Sequence, residues 1–114
     1  MANPSGRRGS AWETAVVQYL AASFPGCERR VSNGRADRGD VTGVPNTVIE
    51  CKDERSIDLP GYLAELEVEK VNAGADFGFV FVKNRRHGVG AGYAVMSVED
   101  ARSLLAYLQQ KGLL

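Results

Sequence analysis

The 114-residue chain has little of what announces most chemistries: one histidine, one tryptophan, two cysteines and a net charge of zero. Cys27 and Cys51 stand 24 positions apart, with no Cys-x-x-Cys spacing and no histidine cluster, which argues against a zinc site or a disulfide framework. Cys51, flanked by Glu50 and Lys52, reads as a small buried apolar residue. No apolar run is long enough to span a bilayer and no signal-peptide pattern is seen, so the expected compartment is the cytoplasm, with no membrane partner. The zero net charge gives no global reason to bind a polyanion. No internal repeat or low-complexity block appears. The length suits one domain, 1–114, around a single core, with residues 1–9 read as a loose basic arm.

The charge is unevenly spread. Residues 1–39 carry six arginines against three acids, 40–76 carry three basic residues against nine acids, and 77–114 carry five against two. An acidic middle between basic ends suits a metal site framed by phosphate-contacting segments; solvated faces that happen to cluster are the plainer alternative.

Ser10 and Glu13 form a Ser-x-x-Glu capping box, so a first helix is expected from there, with Trp12, Val16, Val17 and Leu20 inward and Phe24-Pro25-Gly26 as its stop. Cys27 to Val31 is a short strand candidate, and 32–39 reads as a loop. Residues 40–52 read as a hairpin turning at Val44-Pro45-Asn46. Leu59-Pro60 opens a second helix with Leu63, Leu66 and Val71 inward, Glu65, Glu67, Glu69 and Lys70 mostly outward, and Gly74 at its end. Phe77 to Val82 reads as a strand buried on both faces. A glycine-rich loop from Asn84 to Gly92, a strand from Tyr93 to Met96, and a helix capped by Ser97 with Leu104, Leu105 and Leu108 inward complete the chain. The order α-β-β-β-α-β-β-α predicts an α/β fold: a mixed sheet, antiparallel at the hairpin and parallel across the β-α-β crossover, flanked by helices.

The hairpin carries the chemistry. With Gly43 facing Thr47, paired positions sum to ninety, and Asp40 lies across from Glu50 with Cβ atoms roughly 5 Å apart. Glu50 and Lys52 share one face, and Cys51 points to the other. Opposed like charges destabilise a strand pair unless a cation joins them. Asp40 and Glu50 fit as Mg²⁺ ligands, the carbonyl oxygen of Cys51 could supply a third, and Lys52, kept charged by its acidic neighbours, could stabilise charge on a phosphodiester under attack by water. A surface hairpin with a cross-strand salt bridge is the alternative. Glu13 has two candidate roles, helix cap and third acid at the same patch. Arg7, Arg8, Arg35, Arg38, Arg85 and Arg86, in the arm and two loops, are candidate DNA contacts. His87, glycine-flanked in a loop, is given no role.

Gly9-Ser10-Ala11-Trp12-Glu13 opening a helix, Arg30-Val31-Ser32, Gly39-Asp40-Val41 and Val48-Ile49-Glu50-Cys51-Lys52 together resemble the PD-(D/E)XK nuclease superfamily. Within it the chain looks most like the archaeal-type Holliday junction resolvases and their phage-borne relatives, over roughly residues 7–105. The resemblance implies a restriction-endonuclease-like fold and an active site of Glu13, Asp40, Glu50 and Lys52. By the same likeness Ser32 is the loop serine implicated in catalysis, and Arg30, the arginine preceding it, is a further candidate DNA contact. It implies Mg²⁺ as cofactor, with Mn²⁺ as substitute, and a homodimer that nicks both strands of a four-way DNA junction; for a phage-borne relative the compartment is the host cytoplasm. Gly39 stands where the family usually has proline, and no role is transferred to the second helix. A repair- or restriction-type nuclease acting on duplex or single-stranded DNA, and an inactive DNA-binding module of the same fold, are the alternatives.

Overall fold

The structure, a computed structural model, describes residues 4–31 and 37–114, with side chains from residue 9 onward. Helix α1 spans Pro4–Leu20, followed by the short strands β1 (Glu28–Arg29) and β2 (Val41–Thr42) and by β3 (Thr47–Lys52). Helix α2 (Leu59–Ala73), β4 (Phe77–Val82), a 3₁₀ turn at Val89–Ala91, β5 (Tyr93–Val95) and α3 (Val98–Gln110) complete it. The α-β-β-β-α-β-β-α order and the mixed α/β class are as the sequence predicts. The five strands lie in the order β1-β2-β3-β4-β5, antiparallel except for the parallel pair β3–β4 that α2 connects.

The sheet has a helix on each face, which explains why β3 is buried along both of its sides. On one face Val41, Ile49 and Cys51 pack with Trp12 and Val16 of α1. The Trp12 indole N–H donates to the carbonyl of Phe81 at 2.9 Å, tying α1 to the centre of the sheet. On the other face Val48, Val80 and Val82 pack with Tyr62 and Leu66 of α2. Gly78 lets α2 approach: a Cβ there would stand 3.0 Å from both Leu66 Cδ1 and Lys70 Cδ.

Several sequence expectations change. Helix α1 begins at Pro4, so residues 4–9 are helical and Ser10 lies inside the helix instead of capping it. Its hydroxyl accepts from Arg29 at 3.4 Å. Helix α2 is capped by Asp58, whose side chain accepts from the N–H of Gly61; Ser97 caps α3, accepting from the N–H of Asp100, and Gly74 ends α2 in the left-handed region, both as expected. Glu69 and Lys70 are buried, and Val71 is exposed. The inward face of α2 holds Leu63 and Leu66 as expected, together with Tyr62, Glu69 and Ala73 at a regular helical spacing. Strand β4 buries only Gly78, Val80 and Val82; its phenylalanines are half-buried, because α1 reaches Phe81 and leaves the start of the strand less covered. Leu105 is exposed on α3. That helix is held by an ion pair of Asp100 with Lys70 at 2.8 Å and by the ring of Tyr107 set edge-on to Phe77. Among the described residues no helix is long and apolar enough to cross a membrane.

Candidate metal centre

Val41 pairs with Ile49, so the hairpin register sums to ninety as read from the sequence and Asp40 stands opposite Glu50. Three contacts fix Asp40. Its N–H donates to the Ile49 carbonyl at 2.9 Å, its carbonyl accepts from Arg30 N–H at 2.8 Å, and its Oδ2 accepts from the N–H of Cys51 at 2.8 Å. Gly39 delivers the chain to that position at φ +97, a conformation that strains any L side chain. A Cβ on Gly39 would lie 2.7 Å from Val48 Cγ1 and 3.1 Å from the Ile49 carbonyl oxygen. Proline, fixed near φ −65°, cannot occupy this place. Gly39→Ala is expected to cost about 1–3 kcal/mol and to weaken Mn²⁺ binding by displacing Asp40. Thermal unfolding and a Mn²⁺ titration check both effects, and an unchanged melting temperature would remove the claim that this turn is constrained.

Four acids stand in a row from α1 to α2: Glu13, Asp40, Glu50 and Glu69, each within side-chain hydrogen-bonding reach of the next. Glu50 shares the α2 face of β3 with Val48, which brings it under the α2 stripe carrying Glu69. Burial is the main cause that pushes Asp40 up to about 8, reinforced by its hydrogen bond with Glu50 and by that neighbour's charge. Burial likewise pushes Glu50 up to about 8, with Glu69 adding to the rise and Asp40 and Lys52 opposing it. Glu69 is raised by burial and then by the charges of Asp37, Asp40 and Glu65. Glu13 is raised by burial and by Asp40, against the opposing pull of Arg29.

Among the described residues, protein cations pair with this row only at its Glu13 end. Arg29 bonds Glu13 at 2.8 Å at one end. Lys52 turns to Glu65 at 3.1 Å, with its ammonium 5.0 Å from the centre of the Tyr62 ring. Burial works to lower the Lys52 pKa, but Glu65, Glu50 and Glu54 outweigh it and raise it, so the side chain stays charged. Among the described residues no salt bridge reaches Asp40, Glu50 or Glu69. The carboxylate oxygens of Asp37, Glu50 and Glu69 all lie within 4.8 Å of one another and could hold a metal ion. An all-oxygen, multiply acidic donor set suits a hard divalent cation. Among the described residues the buried Oε2 of Glu69 has no hydrogen-bond partner, a cost that a bound cation would relieve. The residues therefore fit the group.

The structure thus brings Glu13, Asp40 and Glu50 into one row, sets Lys52 at its edge, and turns Cys51 toward α1, where burial pushes its thiol pKa up. Asp37 and Glu69 were not identified from sequence; the Tyr62-Leu66-Glu69-Ala73 spacing was the available signal for Glu69. Among the candidate DNA contacts, Arg38 and Arg86 are exposed, and Arg30 is half-buried with an Nε that meets no partner among the described residues. Arg85 is engaged with the buried carboxylate of Asp53 at 2.9 Å, which fastens the 84–92 loop to the end of β3. Ser32 and Arg35, and the side chains of Arg7 and Arg8, lie outside the described residues.

Compared with family models, with curated proteins and with solved structures, the chain matches none.

Proposed function

We propose that the chain is a Mg²⁺-dependent endodeoxyribonuclease of the PD-(D/E)XK type that resolves four-way DNA junctions as a homodimer. The observation that carries the reaction class is the hairpin: Asp40 opposite Glu50, both largely buried and unneutralised, with Lys52 two residues on along the same strand. Glu13, Asp40, Glu50 and the Cys51 carbonyl would hold the ion. Bound there, Mg²⁺ would supply an acidified water and charge neutralisation at the scissile phosphate. Lys52, positively charged and partly exposed, stands ready to stabilise the phosphorane oxygens, while its bond to Glu65 holds the side chain in place. The exposed Arg38 and Arg86, with Arg7, Arg8, Arg30, Ser32 and Arg35, would make the backbone contacts and assist at the site.

The junction and the dimer rest on the resemblance and on one physical argument. One acid row serves one strand, so paired nicks require two chains. Apolar surface suited to mating with a copy is present on α3, where Val98 and Leu105 are exposed. The test is cleavage with Mg²⁺ of a four-way junction, a linear duplex and a flap, side by side. The junction should be cut in paired nicks and the linear duplex at least about tenfold more slowly, a discrimination of only ~1.4 kcal/mol. Equal cutting of the duplex overturns the resolvase assignment in favour of a repair- or restriction-type nuclease. Binding without cutting of any substrate overturns the enzyme assignment in favour of an inactive DNA-binding module.

A further inference from the structure

We propose that Asp37, Glu50 and Glu69 form a divalent-cation site of their own, separate from the Glu13–Asp40 end of the acid row and joined to it through Glu50. Among the described residues this is the one trio of acids whose oxygens all lie within 4.8 Å of one another. Asp40, whose Oδ2 accepts from the N–H of Cys51, is not part of this trio. Glu13, whose Oε2 takes both bonds from Arg29, is not part of it either.

Glu69 is the residue that asks for a ligand. It is 2 % exposed, and among the described residues its Oε2 meets no donor. The nearby bases are committed elsewhere: Lys70 bonds Asp100 at 2.8 Å and Glu67 at 3.2 Å, and Lys52 bonds Glu65. Gly39 leaves the approach open, since a Cβ there would stand 3.6 Å from that same Glu69 oxygen. Asp37 is held beside it from two sides. The Asn72 side chain of α2 donates to the Asp37 carbonyl at 2.7 Å, and the Gly39 N–H donates to Asp37 Oδ1 at 2.9 Å, leaving Oδ2 to a ligand. Asp37 is exposed while Glu50 and Glu69 are buried, so a cation could enter past Asp37 and be held by the two glutamates. Three carboxylates select a small hard cation of the Mg²⁺, Mn²⁺ or Ca²⁺ class over softer metals. In a phosphodiesterase, a second cation beside the first would clamp the leaving oxygen as well as the attacking one.

The role in cleavage rests on the nuclease proposal, but the site itself is tested by counting ions. Mn²⁺ is titrated into the full chain at pH 8 by calorimetry and by paramagnetic resonance of the free ion, without DNA. Wild type is expected to bind two equivalents and Glu69→Gln one. Asp37→Asn, a change on an exposed loop that cannot upset the core, is also expected to bind one. Glu13→Gln should keep the Asp37–Glu50–Glu69 equivalent. A wild-type count of one that disappears in both Glu69→Gln and Asp37→Asn keeps this site and overturns the Glu13–Asp40 assignment instead. A count left unchanged by both of those variants overturns the site, whether or not the protein cuts DNA.

Discussion

Glu50→Gln should fold, bind DNA and cleave it on the order of 10³-fold more slowly, the rate equivalent of losing ~4 kcal/mol of transition-state stabilisation. Glu50 is the one side chain common to every grouping at the centre: it faces Asp40 across the hairpin, reaches Glu69 on α2, and precedes Lys52 by two residues on the same strand face. Glutamine keeps its shape and can hydrogen-bond both neighbours, but it is a poor ligand for Mg²⁺. DNA affinity should stay within about threefold, because on the proposed reading the arginines, and not Glu50, would contact the phosphates. A second readout separates a functional acid from a structural one. Since burial holds Glu50 near 8, removing its charge relieves a cost, and the metal-free Glu50→Gln protein should melt at or above the wild-type temperature at pH 8.5. A variant that cuts at the normal rate would end the metal assignment. One that melts well below wild type would show that Glu50 serves the fold.

The hairpin was legible because its information is local. A turn between two β-branched strands fixes a register, the register fixes which side chains oppose, and alternation fixes which share a face. Asp40, Glu50 and Lys52 therefore follow from spacing alone, and so do the element order and the parallel crossover. What failed depended on partners distant in sequence. Glu69 reads as a surface glutamate until β3 is placed beneath α2 with another carboxyl facing it. Lys70 reads as outward until α3 supplies Asp100. Val71 reads as core by its chemistry, yet lies at 80 % exposure because the helix phase is set by Tyr62 and Leu66. The Ser10–Glu13 box is a sound local signal that the helix outgrew by continuing back to Pro4, and Glu13 instead found Arg29 of β1. With the capping role gone, the alternative to a metal-binding Glu13 is that ion pair. Gly39 illustrates the converse case: its place in the motif was visible, but the reason for it, a positive φ under Val48, was not.

The largest stability effect expected of this chain is a loss on raising the pH. Asp40 and Glu50 both stand near 8 when folded, against about 4 for such carboxyls in an unfolded chain. Below pH 4 both groups are protonated in both states and burial exacts nothing. Between pH 4 and 8 the unfolded chain ionises while the folded one holds its protons, so the folded state binds more protons and stability falls as pH rises. Above 8 the folded groups ionise as well and the loss levels off. The metal-free protein is therefore expected to melt at least about 5 °C lower at pH 8.5 than at pH 5.5. The ionised acids are the form that binds a cation, so adding Mg²⁺ should raise the melting temperature more at pH 8.5 than at pH 5.5 and largely erase the slope. Glu50→Gln should flatten the metal-free slope by removing one of the two groups. Scanning calorimetry in EDTA and then in excess Mg²⁺, at both pH values, makes the comparison. A melting temperature that holds level or climbs with pH in EDTA would mean that these acids are already neutralised within the fold, and the case for a cation at the hairpin would fall with it.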